Sequence, residues 1–333
     1  MEPIFTLDVG STTQDFVLFN DKNLRNCPKA VLPSPTRIIA KKIELSEENV
    51  FLHGYTMGGG AITNAVLKHI RRGFKVFATQ RSALTFSDNL EKVKEMGVVI
   101  TEQSDAKRIK TADVDMKFFS RFLESIEVSM PRIFAVAVQD HGFSPHESNR
   151  IFRFKVFRSI IGKEKFLEKM LFSERDLPKD FNRMGDVISS IKDCREGDVF
   201  VTDTSFAIIS GLASVSKLPA LLINFGNSHT TAAIVDKDWE IKALIEHHTN
   251  VLQRKGKDYV EWLFSKFLKG EIDNDFVLSD MGHGCYVKEL IEVKSIVATG
   301  PNAELSNYEE PKGDPMIFGN LGMLAMLSRR EIV

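Results

Sequence analysis

An apolar run at residues 4–9 stops at Gly10-Ser11-Thr12-Thr13, and a second apolar run, 16–19, follows almost at once, the pattern of a β-hairpin with a hydroxyl-rich tip. Pro28, Pro33 and Pro35 punctuate the next stretch as a loop, and the alternating apolar positions of 37–45 predict a third strand, so the chain opens as a meander. From 46 to 112 the pattern changes to a small α/β unit: strands at 50–53, 75–78 and 98–100 alternate with helices at 61–72 and 88–96. A helix over 113–126, with Met116, Phe119, Phe122, Leu123 and Ile126 on one face, leads to the continuous apolar run 132–138, expected of a strand buried on both faces. Helices are predicted near 163–172 and 183–194, a buried strand at 199–202, and a helix of small and apolar residues at 203–213.

The opening then repeats. Residues 220–236 carry the same plan as 4–19: apolar strand, polar residue, one apolar residue, glycine, hydroxyl-rich turn, apolar strand. A third strand, 240–245, ends in Glu246-His247-His248-Thr249, so the whole meander is duplicated, which is far more specific than either hairpin alone. An amphipathic helix at 257–268, a loop at 279–285, a strand at 295–298 ending in Thr299-Gly300-Pro301-Asn302, and a helix at 314–325 complete the chain.

At 333 residues the chain is long for a single core, and two lobes are expected. With 44 basic against 45 acidic side chains there is no global field toward nucleic acid or a membrane surface, and no apolar run approaches the ~18 residues needed to span a bilayer, so neither is an expected partner. The basic stretch 150–169 reads as a solvated face. Three widely separated cysteines argue against a disulfide framework or a thiolate-only metal site within one chain and fit a reducing cytoplasm, the expected location.

The chemistry concentrates at the hairpin tips. Gly10 lets backbone approach a ligand, Ser11 to Thr13 offer amides and hydroxyls to phosphate oxygens, and Asp8 can hold a hydrated cation; the bland alternative is a plain polar turn. Gly58-Gly59-Gly60 runs into a helix without a following Lys-Ser/Thr pair, so it is not a P-loop, and tight packing explains it better. Ligands of an open α/β sheet lie beyond the carboxyl ends of its parallel strands, and both tips, Gln139-Asp140-His141, Asp203, His247-His248 and Thr299-Gly300-Pro301 are predicted at that edge, facing one cleft.

Two meander-plus-helix halves of this kind resemble the actin, heat-shock chaperone and sugar-kinase superfamily. Leu7-Asp8-Val9-Gly10-Ser11-Thr12 matches its first phosphate motif, and Ile223-Asn224-Phe225-Gly226-Asn227-Ser228-His229-Thr230 falls where the second belongs. Val136-Ala137-Val138-Gln139 resembles the strand end carrying the water-positioning glutamine of actin, Asp203 to Leu212 resembles the lobe-junction helix of the chaperones, and Val297 to Asn302 is similar to the adenosine motif. More narrowly, Gln139 to Pro145, Asn224 to Thr230, Glu246 to Thr249, Gly282-His283-Gly284 and Gly313 to Met316 are similar to a largely archaeal family labelled pyruvate formate-lyase activating enzyme-like. That label implies a radical enzyme with a Cys-x-x-x-Cys-x-x-Cys cluster site, which this chain lacks.

The superfamily resemblance implies an α/β protein of two ribonuclease H-like lobes of the actin-like ATPase type around a central cleft. Residues 1–203 would form the first lobe, with an outer α/β subdomain inserted at 46–112, residues 204–312 the second, and 313–333 a helix returning to the junction. It implies Mg²⁺ and ATP or another phosphorylated ligand, and phosphoryl transfer or ATP hydrolysis. Asp8 and Asp203 would hold the cation, and Gln139 or Asp140 would orient or deprotonate the attacking group. Gly10, Ser11, Thr12 and Thr13, with Asn224, Gly226, Asn227, Ser228, His229 and Thr230, would grip the phosphates. Gly300, Pro301 and Asn302 would meet the nucleoside. The chain departs from the superfamily at Asn224, where an aspartate normally helps hold the metal. Two alternatives remain open. His141, His229, His247, His248 and His283, with Asp140 and Cys285 nearby, could hold a transition metal for a hydrolase or lyase. Or the protein could be a non-catalytic, nucleotide-sensing regulator that meets a protein partner through 46–112.

Overall fold

The computed structural model describes residues 2–333. Strands β1 (Ile4–Val9), β2 (Thr13–Phe19) and β3 (Lys29–Pro33) form the first meander. The third strand is earlier than the sequence pattern predicts, because Pro33-Ser34-Pro35 starts a helix: Ser34 Oγ accepts the Arg37 amide and Pro35 fills the first turn of α1 (Pro35–Glu44). Ile39, Ala40 and Ile43 form the buried stripe of that helix, so residues 37–45 are helix and not strand.

The outer unit is a four-stranded parallel sheet built from β4 (Val50–Gly54), β5 (Val76–Ala78), β6 (Val98–Ile100) and β7 (Lys107–Thr111), in the order β6-β5-β4-β7. Between its strands run α2 (Gly60–Arg71), α3 (Gln80–Ala83) and α4 (Leu90–Glu95). Its core of Val50, Leu52, Ile62, Val66, Val76 and Val93 also includes Ile39 and Ile43 of α1. The highly charged β7, Lys-Arg-Ile-Lys-Thr, carries almost no apolar signal and is not predicted from the sequence.

The first lobe continues with α5 (Met116–Ser125), β8 (Ile133–Val138), α6 (Asn149–Lys163), β9 (Phe172–Ser173), α7 (Asn182–Lys192) and β10 (Asp198–Thr202). Its sheet runs β3-β2-β1-β8-β10-β9, with β8 parallel to β1 and β10. Phe5, Phe16, Phe119 and Phe134 pack under it, with ring centroids 5.1 Å apart for Phe5–Phe16 and 5.0 Å for Phe5–Phe119. The helix expected near 163–172 is displaced: α6 occupies 149–163, and 167–170 is only a short 3₁₀ turn.

After α8 (Thr204–Val215) the second lobe repeats the meander as β11 (Ala220–Phe225), β12 (His229–Val235) and β13 (Ile241–His248). Helices α9 (Thr249–Lys255), α10 (Lys257–Leu268) and α11 (Asn274–Ser279), then β14 (Gly284–Val287), β15 (Ser295–Thr299) and α12 (Phe318–Arg329) follow. The sheet order is β14-β13-β12-β11-β15, with β15 parallel to β11. Each lobe is thus an antiparallel meander whose first strand continues into parallel strands, the ribonuclease H-like arrangement of actin-like proteins.

The lobes meet at α8 and α12. Gly211 and Gly322 let these helices cross at backbone contact: a Cβ on Gly211 would strike the Phe318 carbonyl, and one on Gly322 the Ala207 carbonyl. Helix α12 packs back on the first lobe, where Met323, Met326 and Leu327 join Ile4, Val17 and Ala135. Among the described residues no helix is long and apolar enough to cross a membrane.

Candidate functional site

The two hairpin turns are built alike. The Gly10 amide donates to the Thr13 carbonyl (2.9 Å) and the Gly226 amide to the His229 carbonyl (3.0 Å). A Cβ on Gly226 would come within 2.8 Å of that carbonyl, so the close turn needs glycine there. Asn302 Nδ2 and Thr249 Oγ1 both donate to the Gly226 carbonyl, and Thr230 Oγ1 lies 3.0 Å from Thr249 Oγ1. Asn302 and Thr230 therefore brace the second turn from behind. The tips face each other, with the Ser11 and Ser228 hydroxyl oxygens 2.8 Å apart. They rim a cleft of about 390 Å³ that is also lined by Gln139, Asp140, Gly300 and Pro301. Thr12 does not line it; its carbonyl accepts the Ser34 amide. Gly58 to Ala61 and Leu84 to Asp88 of the outer unit close the cleft from the opposite side.

The cleft floor is acidic. Asp8 on β1 pairs directly with Asp15 on β2, and both carboxyls line the cleft while only 6% and 7% exposed. Burial, then Asp15 and then Asp203, pushes the Asp8 carboxyl well above the usual range. Burial raises Asp15 to about 7 despite the Thr13 hydroxyl, and Asp314 adds to the rise. Asp15 Oδ1 has no hydrogen-bond partner. Two buried acids facing a cavity with an unfilled lone pair form a donor set suited to a hard divalent cation, which would take the place of their protons. Sequence reasoning passed over Asp15, although the register of a hairpin turning at 10–13 puts residue 15 opposite residue 8.

Asp203 does not reach the cleft. It is fully buried and accepts from Arg153 at both oxygens (2.6 and 2.8 Å), from the Ser205 amide at the start of α8 (2.9 Å) and from the Asp140 amide (3.1 Å). With its lone pairs so engaged it is not available to a cation in the cleft, whereas Asp15, with Oδ1 unpartnered, lines the cleft beside Asp8. Arg153 is itself wholly buried, the opposite of the solvated face expected for 150–169. Besides Asp203 it grips Glu246 of β13 (3.0 Å) and donates to the Asp140 carbonyl (2.8 Å), tying the first lobe to the second.

Asp140 is held by the Gly142 amide (2.9 Å) and the Met184 amide in the first turn of α7 (2.8 Å). Burial outweighs those amides and the nearby Arg183, so its carboxyl rises to about 6. Arg183 is paired with Asp113 (2.7 and 2.8 Å) and donates to the Gln139 carbonyl (2.6 Å). No lysine is among the described residues lining the cleft, and its arginine is neutralised by this partner.

The histidines divide. Nitrogen atoms of His229, His248 and His283 lie within 4.8 Å of one another. Their ring centroids are 5.1 Å (229–248), 4.6 Å (229–283) and 4.6 Å (248–283) apart. His141 stands off, 6.4 Å from His229. His247, expected with them, points to the other face of β13, where its Nε2 is 3.1 Å from Asp280; alternation along the strand separates it from its neighbour. Cys285 also turns away, its buried thiol pushed up to about 12 and directed at the Ile272 carbonyl. Burial holds His229 down to about 4, His141 to about 3 and His283 to about 2, so all three imidazoles are neutral near pH 7. Gln139 Nε2 lies 2.9 Å from His229 Nδ1.

Fold and site together define a two-lobed, actin-like α/β protein with a cleft between paired glycine turns. The chain belongs to the family described as "Putative pyruvate format-lyase activating enzyme (DUF1786)", whose profile matches residues 57–305. No curated protein matches it. Among solved structures, it is similar to a Ppx/GppA family member from Aquifex aeolicus, with 10% identity and a TM-score of 0.31 over 90% of this chain and 66% of that one. An exopolyphosphatase from Cytophaga hutchinsonii gives 10% identity and a TM-score of 0.32, again over 90% and 66%. The chain therefore spans just under two-thirds of the length of these two proteins. The activator of the 2-hydroxyisocaproyl-CoA dehydratase from Clostridium difficile gives 10% identity and a TM-score of 0.30 over 99% of this chain and 96% of that one. Likeness at this level carries no chemistry from them to this chain.

Proposed function

We propose that the protein binds a phosphorylated ligand of the nucleotide class, with a divalent cation, between the two hairpins, and catalyses phosphoryl transfer or hydrolysis there. The observation that carries this is the pair of matching glycine turns facing each other over the Asp8–Asp15 carboxyls. Backbone amides and hydroxyls at the tips, from Ser11 in the first hairpin and Asn227 and Ser228 in the second, would donate to phosphate oxygens from both lobes. Because Asp113 neutralises Arg183, the cation at Asp8 and Asp15 would supply the charge that offsets the phosphates, Mg²⁺ being the natural ion for an oxygen-only pair. Gln139 lines the cleft and would orient the attacking oxygen, with Asp140, at about 6, near the range of a general base. Gly300 and Pro301, which line the cleft, would meet the nucleoside end.

The radical chemistry implied by the family's description would need cysteines gathered at one cluster. Cys27 and Cys285 are buried in different lobes and Cys194 is exposed beyond α7, which favours the cleft chemistry instead. Equilibrium titration with ATP tests the proposal. Wild type is expected to bind one equivalent only with Mg²⁺ present, and Asp8→Ala to weaken that binding on the order of 10²-fold. Absence of binding by wild type with the cation present would overturn it.

A further inference from the structure

A cluster of three imidazoles stands at the second hairpin, on the face of β12 and β13 that also carries Thr231 and Glu246. His229 comes from the start of β12, His248 from the end of β13 and His283 from the turn before β14, three separate elements that converge on one point. His283 is 2% exposed, and neither of its ring nitrogens has a hydrogen-bond partner. A buried imidazole left this way forfeits the bonds it would make in water unless a bound group supplies them. Structural histidines avoid this cost by bonding a neighbour, as His247 does with Asp280 on the opposite face of the same strand.

We propose that His229, His248 and His283 bind one first-row divalent transition-metal ion, zinc being the best fit to three neutral nitrogen donors. Bound at about 2.0–2.1 Å from each nitrogen, such an ion needs only a modest inward turn of rings already within 4.8 Å. Glu246 is near enough to give the outer support common at such centres: its Oε2 is 3.5 Å from His283 Nδ1, short of a hydrogen bond but closed by a small turn of the ring, and Arg153 holds the carboxylate in place. If Nδ1 then donated to Glu246, Nε2 would be left for the metal. Three protein ligands leave coordination positions open. Of the three, His229 lines the cleft and lies 2.9 Å from Gln139, so an ion held by these rings would adjoin the cleft. The protein would then carry two cation sites of opposite character, oxygen donors under the first hairpin and nitrogen donors beside the second. The imidazole site stands on its own geometry and does not rest on the phosphate proposal.

The test uses the full chain, stripped with a chelator and titrated with Co²⁺, whose visible absorption reports coordination by nitrogen, followed by competition with Zn²⁺. Wild type is expected to take up one Co²⁺ per chain and release it to Zn²⁺. His248→Asn, at the least buried of the three positions, is expected to weaken uptake by about 10²-fold or more, since even outer-shell losses cost 10–100-fold. His247→Asn, on the far face of the strand, should bind as wild type does, and circular dichroism checks that each variant folds. No stoichiometric uptake by wild type, or equal loss in His247→Asn and His248→Asn, would overturn the proposal. So would a Co²⁺ band abolished by Asp8→Ala, which would put the ion at the carboxyls. Intact Co²⁺ binding in a protein that binds no ATP would support this site while removing the phosphate proposal.

Discussion

The two hairpins share a backbone and differ in chemistry. Gly10 to Thr13 and Gly226 to His229 close with the same amide-to-carbonyl bond, and each hairpin puts a polar cross-strand pair toward the cleft. In the first that pair is Asp8–Asp15, and in the second Asn224–Thr231. The second hairpin has given up its acids, and where the first ends its turn with Thr13 it places His229. A duplicated scaffold has thereby separated a site of negative charge from one of neutral nitrogen donors. Duplication preserves what the backbone needs, glycine and register, and leaves side chains free to diverge.

The comparison depends on the two lobes being held in one relation, and the largest expected effect comes from breaking the tie. Arg153→Ala would strand Asp203 and Glu246 as buried, unpaired carboxylates, and is expected to cost about 3–5 kcal/mol in urea unfolding. Next comes the asymmetry of the hairpins. Asp8→Asn should lower turnover on the order of 10²-fold, while Asn224→Ala should cost less than about 10-fold; steady-state phosphate release measures both, and equal losses would erase the distinction.

A smaller effect is pH-linked. Asp15 titrates at about 7 in the folded protein against an ordinary 3.8, so between those values the fold keeps a proton that the unfolded chain has lost. Its contribution is present in full below about 4 and is lost as pH rises through about 7, and the raised Asp8 carboxyl acts in the same direction. A cation that replaces the protons should therefore raise the melting temperature more at pH 8 than at pH 5. Thermal scans with and without Mg²⁺ should differ by at least about 2–4 °C more at the higher pH, and Asp15→Asn should reduce that difference. The smallest effect belongs to the contact between the tips: Ser228→Ala removes one exposed hydroxyl pair, at the low end of the ordinary range at about 0.5 kcal/mol, and should shift the melting temperature by no more than about 1–2 °C.

Much of this was legible in the sequence because hairpins and buried strands announce themselves locally. The repeat at 220–236, the strands at 132–138 and 199–202, and the convergence of hairpin tips and strand ends on one cleft all follow from period and direction. What escaped was decided by tertiary partners or by short-range signals in conflict. Residues 37–45 show alternating apolar positions, yet the Ser34 cap and Pro35 commit them to α1. Arg153 looks like one charge in a basic run, and only Asp203 and Glu246, 50 and 93 residues away, make it a core residue. Arg153 in turn occupies both carboxylate oxygens of Asp203, which therefore does not reach the cleft. His247 and His248 are adjacent in sequence but on opposite faces of β13, so only a strand reaching His248, rather than ending at 245, would have divided them.

The central claim is that phosphate and cation meet between the two hairpins, and a crystal structure of the protein grown with Mg²⁺ and a non-hydrolysable ATP analogue tests it most directly. The account predicts phosphate density between Gly10–Thr13 and Gly226–His229, with a cation at Asp8 and Asp15. Analogue bound elsewhere, or a cleft in which those carboxyls still face only each other, would contradict it.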